Sequence, residues 1–241
     1  ETIIKSIKSA RENKDIKAIL LRIDSGGGSA LASDQMWHEV QKTTDLSLAT
    51  TEKDSSNIKP FIASMAGVAA SGGYYIACQA DTIIAHPATI TGSIGVIGLR
   101  LNLSQLLNKI GIRSDIIKNG KNSDFWDRSR LTTDEDRQKI QAAINDIYEK
   151  FKNRVIAGRD LPDTTDLDIV ALGRVFTGRR AKDGISIPLV DVVGDFHDAI
   201  ELTKAAAGLE GEEVEIVEYP MSDDKLKEMA ENMTTIRSVD Y

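Results

Sequence analysis

One serine in this sequence is crowded by residues with almost no side chain, in Ala69-Ala70-Ser71-Gly72-Gly73-Tyr74-Tyr75. A hydroxyl that must meet a carbonyl group needs bare backbone beside it, because adjacent N–H groups are the nearest donors for a developing oxyanion. Ser71 is therefore the candidate nucleophile; the structural alternative is a small-residue helix start packed against a strand. Two further stretches support the chemical reading. The apolar run Ala18–Ile23 leads into Asp24-Ser25-Gly26-Gly27-Gly28-Ser29, where consecutive glycines leave backbone amides unobstructed. Downstream, Thr91-Gly92-Ser93-Ile94-Gly95-Val96 supplies a second hydroxyl-bearing turn, with Ser93 twenty-two positions after Ser71. A serine hydroxyl also needs a group to take its proton. His86 precedes Pro87 at a strand end with no carboxylate evidently placed to orient its ring, and His38 falls on the polar side of a helix, so neither is assigned this role.

The elements that must position these residues follow from periodicity. Ile3, Ile4 and Ile7 recur at helical spacing over Thr2–Arg11. A second helix after the glycines places Leu31, Met36, Trp37 and Val40 on one side, with Ser29 or Ser33 as cap. Phe61-Ile62-Ala63 reads as a short buried strand before Ser71, Tyr74-Tyr75-Ile76 as a helix after it, and Thr82–Ala85 as the next strand. Residues 43–57 are polar and aperiodic, which predicts a surface insertion. Asn102–Lys109 reads as a short helix and Arg113–Lys118 as a strand, followed by the loop 119–124 and by Phe125-Trp126, which suit a groove, a neighbouring subunit or the core. Thr132 or Thr133 caps a long helix whose face is Ile140, Ile144, Ile147, Tyr148, Phe151 and Val155, with acids in its first turn. A short helix over Asp166–Leu172, a strand-turn-helix from Val175, a helix over Asp195–Ala207 and a strand over Val214–Val217 complete the pattern. Alternating strands and helices predict an α/β fold with largely parallel strands.

Composition narrows the classes. With 30 basic against 37 acidic side chains and no basic cluster, nucleic acid is not an expected partner. A single cysteine, Cys78, excludes an intrachain disulfide and a cysteine-built metal site, and is expected to pack as a small apolar residue. No cofactor and no metal are implied. No apolar run approaches the roughly 20 residues that span a bilayer. The helical pattern is already under way at Glu1, so the chain reads as a soluble part whose membrane anchor, if any, is expected outside it.

The glycine loop, the Ser71 motif and Thr91–Val96, in this order and spacing, resemble the signal peptide peptidase A, or protease IV, family. The resemblance extends to Gly173-Arg174-Val175-Phe176-Thr177-Gly178, Ala181 and Leu189-Val190-Asp191. It implies a Clp/crotonase-like superhelix of repeated β-β-α units with a helical extension, over residues 1–207, with 45–58 as the insertion and 208–241 as a strand and charged tail. It also implies a serine endopeptidase with Ser-Lys dyad chemistry, acting on residual signal peptides or other unfolded apolar chains through an acyl-enzyme on Ser71. Amides of Gly27 or Gly28 and of Gly72 would form the oxyanion hole, and Ser93 would orient the lysine. Homo-oligomers or a second repeat, and membrane association on the extracytoplasmic side, are further implications.

Two departures from the family pattern matter. The family's lysine falls on Ser123, and a serine cannot act as the base; Lys121, two residues earlier, is the substitute within the same loop. Gly26 stands where a proline is usual, which loosens the glycine turn. The absent lysine has three readings: a replacement that traps an inactive enzyme, a base supplied by another repeat or subunit, or a pseudo-peptidase that binds peptides without cutting them. A crotonase-type acyl-CoA enzyme is the remote alternative, because the glycine loops would serve a thioester oxyanion.

Overall fold

Strand alternation sets the layering. In the computed structural model, which describes residues 1–220, β1 (Ile19–Ser25), β2 (Phe61–Ala70) and β3 (Thr82–Ala85) run parallel, with β2 between the other two. Odd-numbered residues (Ile19, Ile23, Phe61, Ala63, Met65, Ile83) enter the main core, and even-numbered ones (Leu20, Ile62, Ile84) enter a smaller cluster on the opposite face. Both faces are covered, as a parallel sheet requires. The main face carries α1 (Thr2–Glu12), α2 (Ala30–Thr44), the short α4 (Gly72–Ala77) and the last turns of α6 (Asp134–Gly158). Between α2 and β2 lie a 3-10 turn at Leu46–Leu48 and α3 (Glu52–Ser55), and the short α5 (Ser104–Lys109) precedes α6.

The rest of the sheet is built around β2. β4 (Ile90–Gly92) pairs in parallel with the last residues of β2 and antiparallel with β5 (Val175–Thr177), while β6 (Val192–Val193) pairs with β3. α7 (Gly178–Asp183) follows β5, and α8 (Phe196–Ala206) packs Ala199 and Leu202 on the second face. β2 changes partner midway: Ile62–Met65 pair with β3, but Val68–Ala70 pair with β4. The switch is a bulge, because Ile23 and Ser25 of β1 face Met65 and Ala69, two residues against four. Side chains hold it: Val68 N–H donates to Asp24 Oδ1 at 3.0 Å, and Thr89 Oγ1 donates to Ala66 O at 2.6 Å. The α/β architecture with largely parallel strands is the one expected.

Several local expectations are corrected. Arg113–Lys118 and Val214–Val217 form no strand, because neither finds a ladder partner among the described residues. Phe61-Ile62-Ala63 is only the first part of a ten-residue strand. Leu31 is 69% exposed and faces away from the core side of α2, and Ser29, not Ser33, caps that helix. The interval 43–57 is not all surface: Thr43 is fully buried, with Oγ1 donating to Glu39 O. The Asp166–Leu172 helix shrinks to a 3-10 turn at Leu167–Ile169. The charged tail from Met221 lies outside the described residues.

α6 is the strut between site and periphery. Thr133 and Asp136 close a capping box at its start, and Phe151 and Val155 bury near its end. Phe151 meets Tyr75 of α4 with ring centroids 4.6 Å apart, and Gly158 approaches so closely that a Cβ there would lie 2.4 Å from Cys78 O. Phe151→Ala should destabilise the chain by about 3–5 kcal/mol, the usual cost of truncating a buried aromatic. A urea titration followed by far-UV circular dichroism reads it; a loss under about 1 kcal/mol would mean that α6 does not brace α4.

Candidate active site

Ser71 is the turn between β2 and α4, with φ 52° and ψ −119°, a region that side-chain-bearing residues rarely occupy. Its N–H donates to Gly92 O at 2.9 Å and its carbonyl accepts from Tyr75 N at 2.9 Å, so both backbone groups are held. This turn takes the side chain out of the strand ladder, and Ser71 Oγ makes no hydrogen bond among the described residues. The glycines around it are required by space. A Cβ on Gly73 would lie 2.6 Å from Ser25 O, and one on Gly27, at φ +103°, would lie 2.8 Å from Gly72 N and from Ser71 Cβ.

The glycine loop after β1 lies directly against this turn. Gly27 N–H donates to Ser25 Oγ at 3.2 Å, so that amide is engaged. Gly28 N and Gly72 N have no partner among the described residues, and a Cβ on Gly72 would sit 3.2 Å from Gly28 N. The expected amide donors thus converge beside Ser71, with Gly28 and Gly72 left free. Ser33 Oγ, 2.5 Å from the same Cβ position, keeps Gly72 bare; its hydroxyl donates to Ser29 O.

Ser93 is the neighbour of the residue that accepts from Ser71. It repeats the same φ of 52°, and its N–H donates to Arg174 O at 2.7 Å. Its hydroxyl is also without a partner among the described residues. Two half-buried serine hydroxyls on strained backbone therefore flank one short strand end. A group the sequence did not single out helps hold this geometry. Asp34 of α2 accepts from Tyr75 Oη at 2.7 Å and from Arg154 Nε at 3.2 Å, while the Arg154 guanidinium lies 3.8 Å from the Trp37 ring centre. The helix after the glycine loop is thereby tied to the helix after Ser71. Burial, followed by the bond to Asp34, pushes the Tyr75 phenol well above its ordinary range, so it remains a donor.

The loop carrying Ser123 and Lys121 is held elsewhere. Ser123 Oγ donates to Gly120 O, and Lys121 is exposed and ion-paired with Glu135 at 3.0 Å. That is the opposite of the desolvated setting a lysine base needs. Asn122 accepts from Lys139 of α6 at 3.1 Å. Lys139 lies twelve positions before Phe151, so the loop meets α6 about 18 Å along the axis from where the helix touches Tyr75. No hydrogen bond or ion pair among the described residues joins Lys121 or Ser123 to Ser71 or Ser93. Phe125 is half-buried under Arg100 and Trp126 is 75% exposed, so Trp126 is not a core residue. His86 Nδ1 accepts from Ala88 N, and His38 Nδ1 faces Gln41; neither contacts Ser71.

Arg130 fastens this loop, bonding Asp136 through both guanidinium nitrogens at 2.6 and 3.0 Å and Asp124 at 3.1 Å. Arg130 and the Thr133 amide hold the Asp136 carboxyl well below its ordinary value, and Lys118 does the same for Asp124, with Arg130 adding to it. Carboxylates depressed in the folded chain stabilise it fully above the ordinary range near pH 3.8, and that stabilisation is lost as pH falls through the depressed values. Trp126 fluorescence should therefore stay constant from pH 7 to below 4, and Arg130→Ala should move its acid transition upward. Identical transitions in the two chains would show that Arg130 does not hold the loop.

The glycine substitution gives a second test. Gly27→Ala should cut the rate at which a fluorophosphonate labels Ser71 by at least tenfold, because its methyl group fills the space beside Oγ and Gly72 N. Labelling of Ser71 in the parent chain at a rate unchanged by Gly27→Ala would remove the glycine loop from the site.

Comparison with known proteins bears on the family of the chain. Residues 53–210 match the model of peptidase family S49. The chain is 40% identical over 210 residues to an Arabidopsis thaliana protein named serine protease SPPA, chloroplastic, covering 87% of this chain and 29% of that one. It is 34% identical over 251 residues to the Synechocystis protein slr0021, covering 100% of this chain and 84% of the relative. Protease 4 of Salmonella typhi is 36% identical over 200 residues, 83% of this chain and 30% of that protein. The chain thus spans under a third of the Arabidopsis and Salmonella relatives. A family model matched across most of the chain, and a relative matched nearly end to end, place it in peptidase family S49, the family of the SppA and protease 4 proteins.

Proposed function

We propose that this chain is the nucleophile-bearing part of a serine endopeptidase of the SppA type, with the base supplied by another repeat or another subunit. The observation that supports it is the contrast within the site. Ser71 Oγ stands free beside the unclaimed amides of Gly28 and Gly72, while the Ser123 loop is tied to α6 at Lys139, about 18 Å along the helix from the Phe151 that touches Tyr75, and Lys121 is committed to Glu135.

In this reading Ser71 Oγ attacks the carbonyl carbon of an apolar peptide as a neutral lysine amine from the second unit takes the hydroxyl proton. Negative charge develops on the carbonyl oxygen, where the Gly28 and Gly72 N–H groups stabilise it. The C–N bond then breaks, the lysine returns its proton to the leaving amine, and an ester of Ser71 remains. Water, deprotonated by the same amine, hydrolyses that ester. Ser93, beside Ser71, accepts or donates a hydrogen bond to the amine and fixes its direction. No cofactor or metal enters the scheme.

Substrates of this reading are residual signal peptides and other unfolded chains, with access through an assembly of copies or repeats at a membrane. Its support is a set of exposed apolar side chains in the segment that connects Ser93 to the Ser123 loop: Ile97 at 98%, Leu99 at 86% and Ile117 at 100% exposure. Such a set marks a surface that a second unit would cover. No helix among the described residues is long and apolar enough to cross a membrane, so the membrane attachment in this reading belongs to another segment.

A pseudo-peptidase that binds peptides without cutting them is the second reading, favoured by the serine at 123. Complementation separates the two. On a fluorogenic apolar peptide, the unmodified chain and the double variant Ser71→Ala, Ser123→Lys should each be inactive alone, and their mixture should cut at a rate at least a hundredfold above either, roughly 3 kcal/mol of restored barrier lowering. Ser123→Lys should be active by itself, with a rate per site that rises with concentration. Silence of the mixture and of Ser123→Lys would replace the peptidase reading with the pseudo-peptidase one. Activity of the unmodified chain that disappears in Lys121→Ala would place the base in its own loop.

A further inference from the structure

The second face of the sheet carries an open cleft of about 280 Å³, rimmed by the exposed Arg22, His86, Asp195 and Phe196, that the peptidase reading does not use. It opens beyond the carboxyl ends of β3 and β6, where His86 and Gly194-Asp195 leave the sheet, and its floor is the bulge of β2 at Met65–Gly67. Crevices at strand carboxyl ends are where parallel sheets ordinarily bind ligands. The volume lies just below the range for small-molecule pockets, roughly 300–1,000 Å³, and so suits only a small ligand.

Two opposite charges line this cavity without meeting. Arg22 Nη1 donates to the buried Ser64 hydroxyl at 2.7 Å and to Met65 O at 3.4 Å, and the guanidinium lies 4.9 Å from the Phe196 ring centre. These contacts orient the guanidinium and leave its Nη2 and Nε edges unused, and Arg22 is in no ion pair among the described residues. Asp195 is in no ion pair among the described residues, although His86 and His197 lie near enough to act on its carboxyl. Its Oδ1 accepts from the His197 and Asp198 amides as the cap of α8, so the helix end is already satisfied and Oδ2 is left over. The α8 amides hold the Asp195 carboxyl below its ordinary value, so it is charged at neutral pH. His86 Nδ1 accepts from Ala88 N at 3.3 Å, which puts the proton of the neutral ring on Nε2 as a further donor. Met65, Ala88 and Phe196 supply apolar wall.

An arginine and an aspartate that share a small cavity but stand too far apart to pair are complementary to one molecule bearing both charges. We propose that this cavity binds a small zwitterion, a free apolar α-amino acid. Its carboxylate lies on Arg22, its ammonium faces Asp195, and its side chain rests on Phe196 and Met65. Asp195 disfavours a doubly charged anion, and Arg22 disfavours a simple cation. This site is independent of whether Ser71 has a base, since no residue of it belongs to the peptidase machinery.

Isothermal titration calorimetry of the full chain with L-leucine tests the assignment. L-leucine should bind at one site per chain, whereas N-acetyl-L-leucine, which lacks the ammonium, and L-leucinamide, which lacks the carboxylate, should each bind at least tenfold more weakly, the loss of one charged hydrogen-bonded contact. Arg22→Met and Asp195→Asn should each weaken L-leucine by a similar factor. Asparagine keeps the helix cap, so Asp195→Asn is expected to retain its fold, which an unchanged melting temperature verifies. Absence of saturable L-leucine binding overturns the proposal. So does equal binding of the N-acetyl or amide analogue, or unchanged affinity in folded Arg22→Met.

Discussion

The structure turns on the backbone of Ser71. A residue with a Cβ at positive φ costs on the order of 1–3 kcal/mol and persists only where its surroundings over-determine it. Here they do. Gly92 O and Tyr75 N hold the two sides of the peptide, Gly73 lets the chain pass over Ser25 O, and Gly27 leaves room for Ser71 itself. The bulge three to five residues upstream prepares the same turn, by moving β2 from β3 to β4 so that Gly92 can accept from Ser71. Asp24 and Thr89 maintain the bulge through side-chain bonds to its backbone. Strain at one residue is thus distributed over three strands and two loops.

α6 separates the surroundings of Tyr75 from the loop that carries Ser123. Its last turns are part of the core around Tyr75, whereas its first turn, with Arg130 and Asp136, anchors the loop where the family's lysine would stand. A straight helix keeps those two ends apart. Ile97 and Leu99, on either side of the Gly98 that packs against Ile144 of α6, and Ile117 ahead of the Ser123 loop are exposed apolar side chains where an isolated surface would be polar. On the proposed reading all three features have one cause, a site completed by a second unit against this flank.

The two faces of the sheet have different chemistry because strand alternation sends different side chains to each. Odd positions build a nearly continuous apolar core under α2, α4 and α6, and buried polar contacts there serve position, as with Asp34 and Tyr75. Even positions include the buried Ser64 and the exposed Arg22, whose guanidinium lies over Phe196 of α8. β2 belongs to both: its bulge floors the zwitterion cavity, and its end presents Ser71.

Much of this was legible from residue order. The glycine loop, the Ser71 turn, the capping of α6 by Thr133 and of α8 by Asp195, and the buried Cys78 are local matters, decided by which residues have no side chain, which can cap and which are apolar. What tertiary structure decided depends on partners far away in the chain. β propensity at Arg113–Lys118 and Val214–Val217 forms no strand without a ladder partner, and Thr43 is buried because α2 continues past its apolar pattern. The change of neighbour within β2 rests on Asp24 and Thr89, and Lys59 buries its amine against carbonyls at the end of α1, Ala10 O among them. The free amides of Gly28 and Gly72, the tie through Asp34 and the distance from Ser123 to the site are likewise products of packing. Sequence spacing determines what a residue can do locally; only the folded chain determines which distant groups meet it, because those contacts are set by the register of β2 and the length of α6.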